Sequence, residues 1–262
     1  MKYTLITGAS SGIGYELSKV FAKHHHNLVL TALNNKKLQV LKVMLEKLYN
    51  IKVEVIALDL TIEDNINKLY NFTKEKNIVI DTLVNNAGFG YHSIFVESNY
   101  EAQSDIVKLN ILALMKLTYL YGSDMKERKS GKILNVSSLA AFMPGPYMST
   151  YYASKSFVLS FSKSIKEELK EHNISVTTLC PPPTNTNFIN VANLHDSYMF
   201  KLFIVANPKN VAKYGYKMLY KNKTLAYYGP YTKLGNILTR ILPLTLITKF
   251  AKFINQKPRL EN

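Results

Sequence analysis

Two periodicities alternate along the chain. Short runs rich in Val, Ile, Leu and Thr fall at 3–7, 28–32, 53–58, 82–85, 132–137, 175–180 and 225–228, and they show no polar face. Between them lie longer stretches in which apolar residues recur every three or four positions, at 11–23, 36–49, 62–76, 101–126, 150–171 and 208–221. A strand covered on one side alternates apolar and polar residues, whereas a strand without a polar face is covered on both. Strands of that kind alternating with helices predict an α/β fold. The expectation is a Rossmann-type, doubly wound parallel sheet of about seven strands with helices on both faces. No repeat, low-complexity linker or shift in composition marks a boundary. The sequence therefore reads as one domain over 1–230, with 231–262 as an extension of it.

The first strand runs directly into Thr7-Gly8-Ala9-Ser10-Ser11-Gly12-Ile13-Gly14 and then into a helix. Glycines let a backbone turn sharply and approach a ligand closely, and a helix N-terminus offers free N–H groups to a pyrophosphate. Gly8, Ser10, Ser11, Gly12, Ile13 and Gly14 are thus candidate dinucleotide contacts. The glycine spacing is not the G-x-G-x-x-G fingerprint, and a turn without a ligand is the competing reading of this motif alone. The second strand ends Leu30-Thr31-Ala32-Leu33-Asn34-Asn35, without the acid that NAD sites place there, and Lys36 and Lys37 follow. Removing a carboxylate removes repulsion of a 2′-phosphate and Lys36 and Lys37 could attract it, so NADP(H) is expected over NAD(H), with Leu33 among the cofactor-binding positions. Solvated helix lysines are the alternative for Lys36 and Lys37.

Composition changes this picture in one respect. At 262 residues, 47% hydrophobic and 19% charged, the chain has the balance of a soluble globular protein. A single cysteine, Cys180, excludes an intramolecular disulfide framework and fits a reducing compartment. The first eight residues enter a strand without a leader-like pattern, and a cytoplasmic protein is expected. No run reaches the ~18 uncharged apolar residues of a spanning helix. His24-His25-His26 reads as a solvated helix end, because neighbouring helical residues point about 100° apart and cannot converge on one ion; no metal site is expected. The unusual quantity is a net charge of +15. Residues 201–262 hold 12 Lys and Arg against one acid, Glu261.

More specific signals follow. Asn85-Asn86-Ala87-Gly88 succeeds the fourth strand, Asn110 lies inside the next helix, and Ser138 follows the fifth strand. Tyr151-Tyr152-Ala153-Ser154-Lys155 begins 13 residues beyond Ser138. With the Thr7–Gly14 turn, these motifs resemble the classical short-chain dehydrogenase/reductase family over residues 3–186, in the same order and spacing.

Tyr151 and Lys155 are four apart and share a helix face. An unperturbed phenol titrates near pH 10, and an adjacent ammonium is expected to draw it towards the working range. Tyr151 would then pass a proton to or from the substrate oxygen, while Ser138 donates a hydrogen bond where charge develops. The resemblance implies further roles. Lys155 would bind the nicotinamide ribose, and Asn110 would hold a water linking Lys155 to solvent. Asp59 and Leu60 would contact adenine, with an N-cap-like residue as the other reading of Asp59. Asn86, Ala87 and Gly88 would border the adenine ribose, and Asn86 could equally brace the sheet. Pro181, Thr184 and Thr186 would meet the nicotinamide end. Pro182 stands where the family usually has glycine, which places any contact needing an N–H or positive φ there in question.

Phe142, Met143, Pro146 and Met148, with the apolar residues Phe188, Ile189, Leu194, Tyr198, Met199, Phe200, Leu202, Phe203 and Ile204, suggest an apolar pocket. The expected activity is NADPH-dependent reduction of a hydrophobic ketone, aldehyde or 3-oxoacyl-type substrate, or the reverse alcohol oxidation. Ser138 and Tyr151 would touch that substrate. A homodimer or homotetramer is expected, and no specific nucleic acid. Two alternatives remain: a dinucleotide-binding regulator without turnover, and a reductase held on a membrane surface. The tail from 231 to 253 mixes apolar residues with Lys233, Arg240, Lys249 and Lys252. It is expected to cover the site or dock on a subunit in preference to lying on an anionic membrane.

Overall fold

In the computed structural model, which describes residues 2–192, 194, 197, 198 and 205–256, the apolar runs pair as parallel strands. They are β1 (Lys2–Thr7), β2 (Asn27–Ala32), β3 (Val53–Ala57), β4 (Val79–Asn85), β5 (Gly131–Val136), β6 (Ile174–Cys180) and β7 (Leu225–Tyr227). Among the described residues they form one seven-stranded sheet in the order β3-β2-β1-β4-β5-β6-β7. The order reverses between β1 and β4, which pair directly. In open α/β sheets a crevice forms at that switch point, outside the carboxyl ends of the strands.

The helices are α1 (Gly12–Lys23), α2 (Asn35–Tyr49), α3 (Glu63–Glu75), α4 (Tyr100–Val107), α5 (Leu114–Glu127), α6 (Ser149–Leu169), α7 (Phe188–Val191), α8 (Pro208–Tyr220), α9 (Pro230–Ile241) and α10 (Leu244–Asn255). Successive strand residues face opposite ways, so the apolar strands supply two cores. Ile6, Leu28, Leu30 and Leu134 pack under Leu17, Phe21, Leu38 and Val211 of α1, α2 and α8. Leu5, Val29, Leu83 and Ile133 pack under Leu69, Leu117, Tyr121 and Ile165 of α3, α5 and α6. Local signals set the helix ends. Asn34 caps α2 by accepting from Lys37 N at 3.0 Å, Asn50 closes it in the left-handed region with φ 50°, and Asn207 followed by Pro208 starts α8.

Two expectations are corrected. The fourth strand begins at Val79 rather than 82: Asp81 interrupts the apolar run and marks a shift in register against β1, but the strand continues through it. The helix expected over 101–126 follows one path but contains a π-helical stretch, Lys108–Ala113, between α4 and α5. After β7, α9 packs against the 3-10 turn Leu139–Phe142. The inner face of α10, Ile247, Ala251 and Ile254, is buried. Among the described residues no helix is long and apolar enough to cross a membrane.

Candidate active site

A cleft of about 600 Å³ opens at the carboxyl ends of the strands. Its lining follows the strand order. Asp59 and Leu60 come after β3, Leu33 after β2, Gly8 to Ile13 after β1, and Asn86 to Gly88 after β4. Ser138 then follows β5 and Pro181 to Thr186 follow β6, with Tyr151 and Lys155 from α6. Of the candidate catalytic and dinucleotide-binding residues, only Gly14 and Asn110 do not line it.

The glycine turn is built for close approach. Gly8 and Gly12 have φ of +66° and +57°, a region L side chains rarely enter. Gly14 lies against the Gly8 carbonyl and the Asn86 side chain, where a Cβ would not fit. Ser11 occupies the N-cap of α1 with extended backbone and forms no side-chain cap, and the first turn carries no acid. The first N–H groups of α1 are left to be met by something other than a side chain cap, which fits a pyrophosphate.

Thr7 and Asn86 hold this turn to the sheet. The Thr7 hydroxyl accepts from the backbone N–H of Asn86 and Ala87 at 3.0 and 2.9 Å. The Asn86 amide donates to the carbonyls of Thr7 and Gly8 at 2.9 and 3.3 Å. The Asn86 side chain is therefore a brace between β1 and β4. Thr7 escaped the sequence reading as a functional position; its signal was a polar residue at the end of an apolar strand.

At the adenine-side end, Asp59 accepts from Thr61 N and Thr61 Oγ1 at 2.9 and 2.7 Å. It shapes the turn before α3 while still facing the cleft. Leu33 is 73% exposed and lines the mouth. Lys36 and Lys37 are exposed on α2, close in sequence to Leu33, and are not among the lining residues.

The chemistry-bearing end is different. Tyr151 and Lys155 lie one turn apart on α6, with the Lys155 ammonium 5.8 Å from the Tyr151 ring centre. The Ser138 hydroxyl, held by the Ala140 N–H at 3.1 Å, lines the cleft together with the Tyr151 phenol and eases its ionisation. Lys155 is 6% exposed and donates to Val136 O at 3.1 Å. Ser137 ties the same residue's carbonyl at 2.8 Å. Burial pushes Tyr151 up to about 12, opposed by Ser138, and pushes Lys155 down to about 8. This corrects the expectation that the ammonium lowers the phenol. Desolvation of the phenol itself dominates, and Ser138 is the group that opposes it.

Asn110 is buried in the π-helical stretch. Its amide donates to Phe89 O and Ser154 Oγ at 3.0 and 2.9 Å, and its oxygen accepts from Phe89 N at 3.1 Å. The side chain thus fastens the loop after β4 to α6. A Cβ on Gly88 would meet Asn110 Oδ1 at 2.8 Å and Lys155 Nζ at 3.3 Å, so both groups converge on that glycine. In the segment after β6, Pro182 supplies a carbonyl to Thr184 Oγ1 at 2.8 Å. Pro183 O accepts from Ala206 N at 2.8 Å.

Beyond Tyr151 the walls are apolar: Leu139, Ala140, Met143, Met148, Phe188, Val191 and Ile254. The Phe188 ring is 5.1 Å from that of Tyr151, and Leu194 is fully buried in the same cluster. Phe142 turns away to Tyr227, at 5.8 Å between rings, and Pro146 does not line the cleft; these two expectations are corrected. Met199, Phe200, Leu202, Phe203 and Ile204 lie outside the described residues.

One element of this wall was missed. Asn255, at the end of α10, is fully buried. It accepts from the Tyr152 phenol at 3.0 Å and donates to Pro146 O at 3.0 Å, and its carbonyl bonds His92 Nε2 at 2.8 Å. The C-terminal helix is thereby latched to the residue next to Tyr151, and Ile254 is set into the wall. An asparagine on the apolar stripe of an amphipathic helix was the available signal. Two of the consecutive histidines are structural: His24 stacks on Tyr216 at 4.4 Å, and His26 bonds Thr4 Oγ1 at 3.2 Å.

A parallel sheet whose switch point lies between a glycine turn and a Ser138–Tyr151–Lys155 group has the build of a short-chain oxidoreductase. A profile of the short chain dehydrogenase family matches residues 2–196, and the chain belongs to that family. It is 36% identical over 190 residues to the 17-beta-hydroxysteroid dehydrogenase type 3 of Rattus norvegicus, covering 71% of this chain and 60% of that protein. It is 35% identical over 186 residues to the very-long-chain 3-oxoacyl-CoA reductase of Vanderwaltozyma polyspora, covering 66% and 53%. The chain thus matches little more than half the length of these relatives. Among solved structures, a short-chain dehydrogenase from Sphingobium yanoikuyae in complex with NADPH is 29% identical. Its TM-score is 0.81, with 87% of each chain covered. An alcohol dehydrogenase from Comamonas testosteroni specific for bulky-bulky ketones is 27% identical, with TM-score 0.79 and 92% and 91% covered.

Proposed function

We propose that the protein is an NADPH-dependent carbonyl reductase for bulky apolar ketones or 3-oxoacyl compounds, also able to oxidise the corresponding alcohols. The observation that carries this reading is the meeting of Ser138 and Tyr151 hydroxyls at the inner end of a cleft whose outer wall is apolar. A bound dinucleotide would supply the hydride. The glycine turn and the N-terminus of α1 would hold its pyrophosphate, and Leu33, Asp59 and Leu60 would flank its adenine-side end.

The chain's own residues would handle the oxygen. Ser138 donates a hydrogen bond to the substrate carbonyl, strongest as negative charge grows there. Tyr151, protonated at neutral pH because burial raises it to about 12, delivers its proton to the same oxygen. Lys155 is the cation closest to the resulting phenolate, and its depressed pKa of about 8 makes it responsive to that charge. Asn110 and Ser137 fix the helix that carries both groups.

Support for the substrate class comes from the wall of Met143, Met148, Phe188, Val191 and Ile254. It also comes from the similarity to a steroid dehydrogenase, to very-long-chain reductases and to a bulky-ketone enzyme. Support for NADPH is the absence of an acid at Leu33. The test is a panel of carbonyls read by loss of NADPH absorbance, repeated with NADH. Polycyclic ketones and long-chain 3-oxoacyl thioesters should be turned over faster than small polar carbonyls, and NADPH should be preferred. Small polar carbonyls in the lead would overturn the substrate class; a clear preference for NADH would overturn the cofactor.

A further inference from the structure

We propose that α9 and α10 form a docking surface for an anionic membrane, on which the protein lies without crossing it. Helix α10 carries two apolar stripes where a globular surface helix needs one. The inner stripe, Ile247, Ala251 and Ile254, is buried against the body. The outer stripe, Leu246, Phe250 and Phe253, repeats the same i, i+4, i+7 spacing and is 55%, 52% and 50% exposed. Phe253 additionally stacks on Tyr198.

Helix α9 also exposes an apolar stripe. Leu234, Ile237, Leu238 and Ile241 recur at i, i+3, i+4 and i+7, all exposed. The link between the helices adds Leu242 and Leu244, also exposed. Exposed apolar stripes of this kind mark a contact with a partner.

Charge selects the partner. From Lys201 onward the sequence has no carboxylate side chain before Glu261, while exposed Lys233, Lys249 and Lys252 stand on the same two helices. A two-fold contact with a second copy would bring these lysines together with no acid in either helix to answer them. Anionic lipid headgroups answer them, and lipid chains accept the apolar stripes between. Each helix has 12 residues, too short to span a bilayer, which places them flat in the interface.

The docking itself does not depend on the proposed activity. One consequence does: Ile254, on the inner face of α10, lines the cleft, so a membrane under the outer face would stand beside the entrance for an apolar substrate.

Co-sedimentation of the full chain with phosphatidylcholine vesicles, with and without phosphatidylserine, tests the surface directly. Binding should require phosphatidylserine and weaken with salt. The combined charge reversal Lys233→Glu, Lys249→Glu and Lys252→Glu should lower the partition coefficient roughly a hundredfold. Leu246→Ser with Phe250→Ser should also lower it, with the thermal unfolding temperature unchanged. A wild-type protein that stays in the supernatant with phosphatidylserine vesicles overturns the proposal. So does unchanged partition in both variants, or light scattering in which the Leu246 and Phe250 changes turn a dimer into a monomer while vesicle partition persists.

Discussion

The two ends of the cleft are built on different terms. Around Ser138 and Tyr151 the supporting polar groups are buried and tied to one another. Lys155 holds Val136 O, Ser137 holds the Lys155 carbonyl, and Asn110 joins Phe89 to Ser154. Around Leu33 the lining is at the surface, and the polar side chains beside it serve local turns: Asn34 caps α2 and Asp59 binds Thr61. On the proposed function, reactivity would rest on an interior network, where each change disturbs several partners, and nucleotide choice on surface positions that can be exchanged singly. The first end should then tolerate little and the second should be open to retuning.

The largest effect should come from breaking the interior end. Tyr151→Phe keeps the ring against Phe188 and removes only the proton. Turnover of the best carbonyl should fall by roughly 10²–10⁴-fold, while NADPH binding, followed by its fluorescence, stays within a factor of about two. Retained turnover would remove Tyr151 from its role. Lys155→Met sharpens the contrast between function and stability. Lys155 titrates at about 8 in the folded chain against 10.5 ordinarily, so below pH 8 the buried ammonium is carried at a stability penalty of about 3 kcal/mol. That penalty fades as pH rises from about 8 to 10.5, where the unfolded chain holds a proton that the folded chain has released. The methionine variant should therefore lose turnover yet melt higher than wild type at pH 7, with the gap narrowing towards pH 10. A variant that melts lower at pH 7 would show that Lys155 is held by its contacts rather than tolerated for its charge.

Which parts were legible follows from the same physics. The strands were readable because burial on both faces removes polar residues from them. The Tyr151–Lys155 pair was readable because helical geometry turns an interval of four into a shared face. The π-helical stretch at Asn110 was not, since no side-chain pattern distinguishes a widened turn from an ordinary one. The ionisation of Tyr151 was misjudged because sequence proximity to a lysine does not reveal that the phenol itself is buried. Asn255 was missed because its partners, Tyr152, Pro146 and His92, lie more than a hundred positions away. The bracing role of Asn86 was one of two readings, and only the distance to the Thr7 carbonyl separates them.

The smallest change tests the surface end. Leu33, just after β2, lines the cleft and is 73% exposed, and among the described residues no hydrogen bond depends on its side chain. Leu33→Asp restores the acid that NAD sites place after the second strand to hold the ribose hydroxyls. It also sets a negative charge where a 2′-phosphate would lie. A gained hydrogen bond and a repelled phosphate, each worth about 1 kcal/mol near solvent, should shift the ratio of kcat/KM for NADPH over NADH by roughly tenfold or more towards NADH. Total turnover at saturating cofactor should change little, because no residue of the Ser138–Tyr151 network is touched. A variant with an unchanged ratio would place the nucleotide's ribose away from Leu33. A variant that loses turnover at saturating NADH as well would show that the two ends are coupled, and the contrast between them would fail.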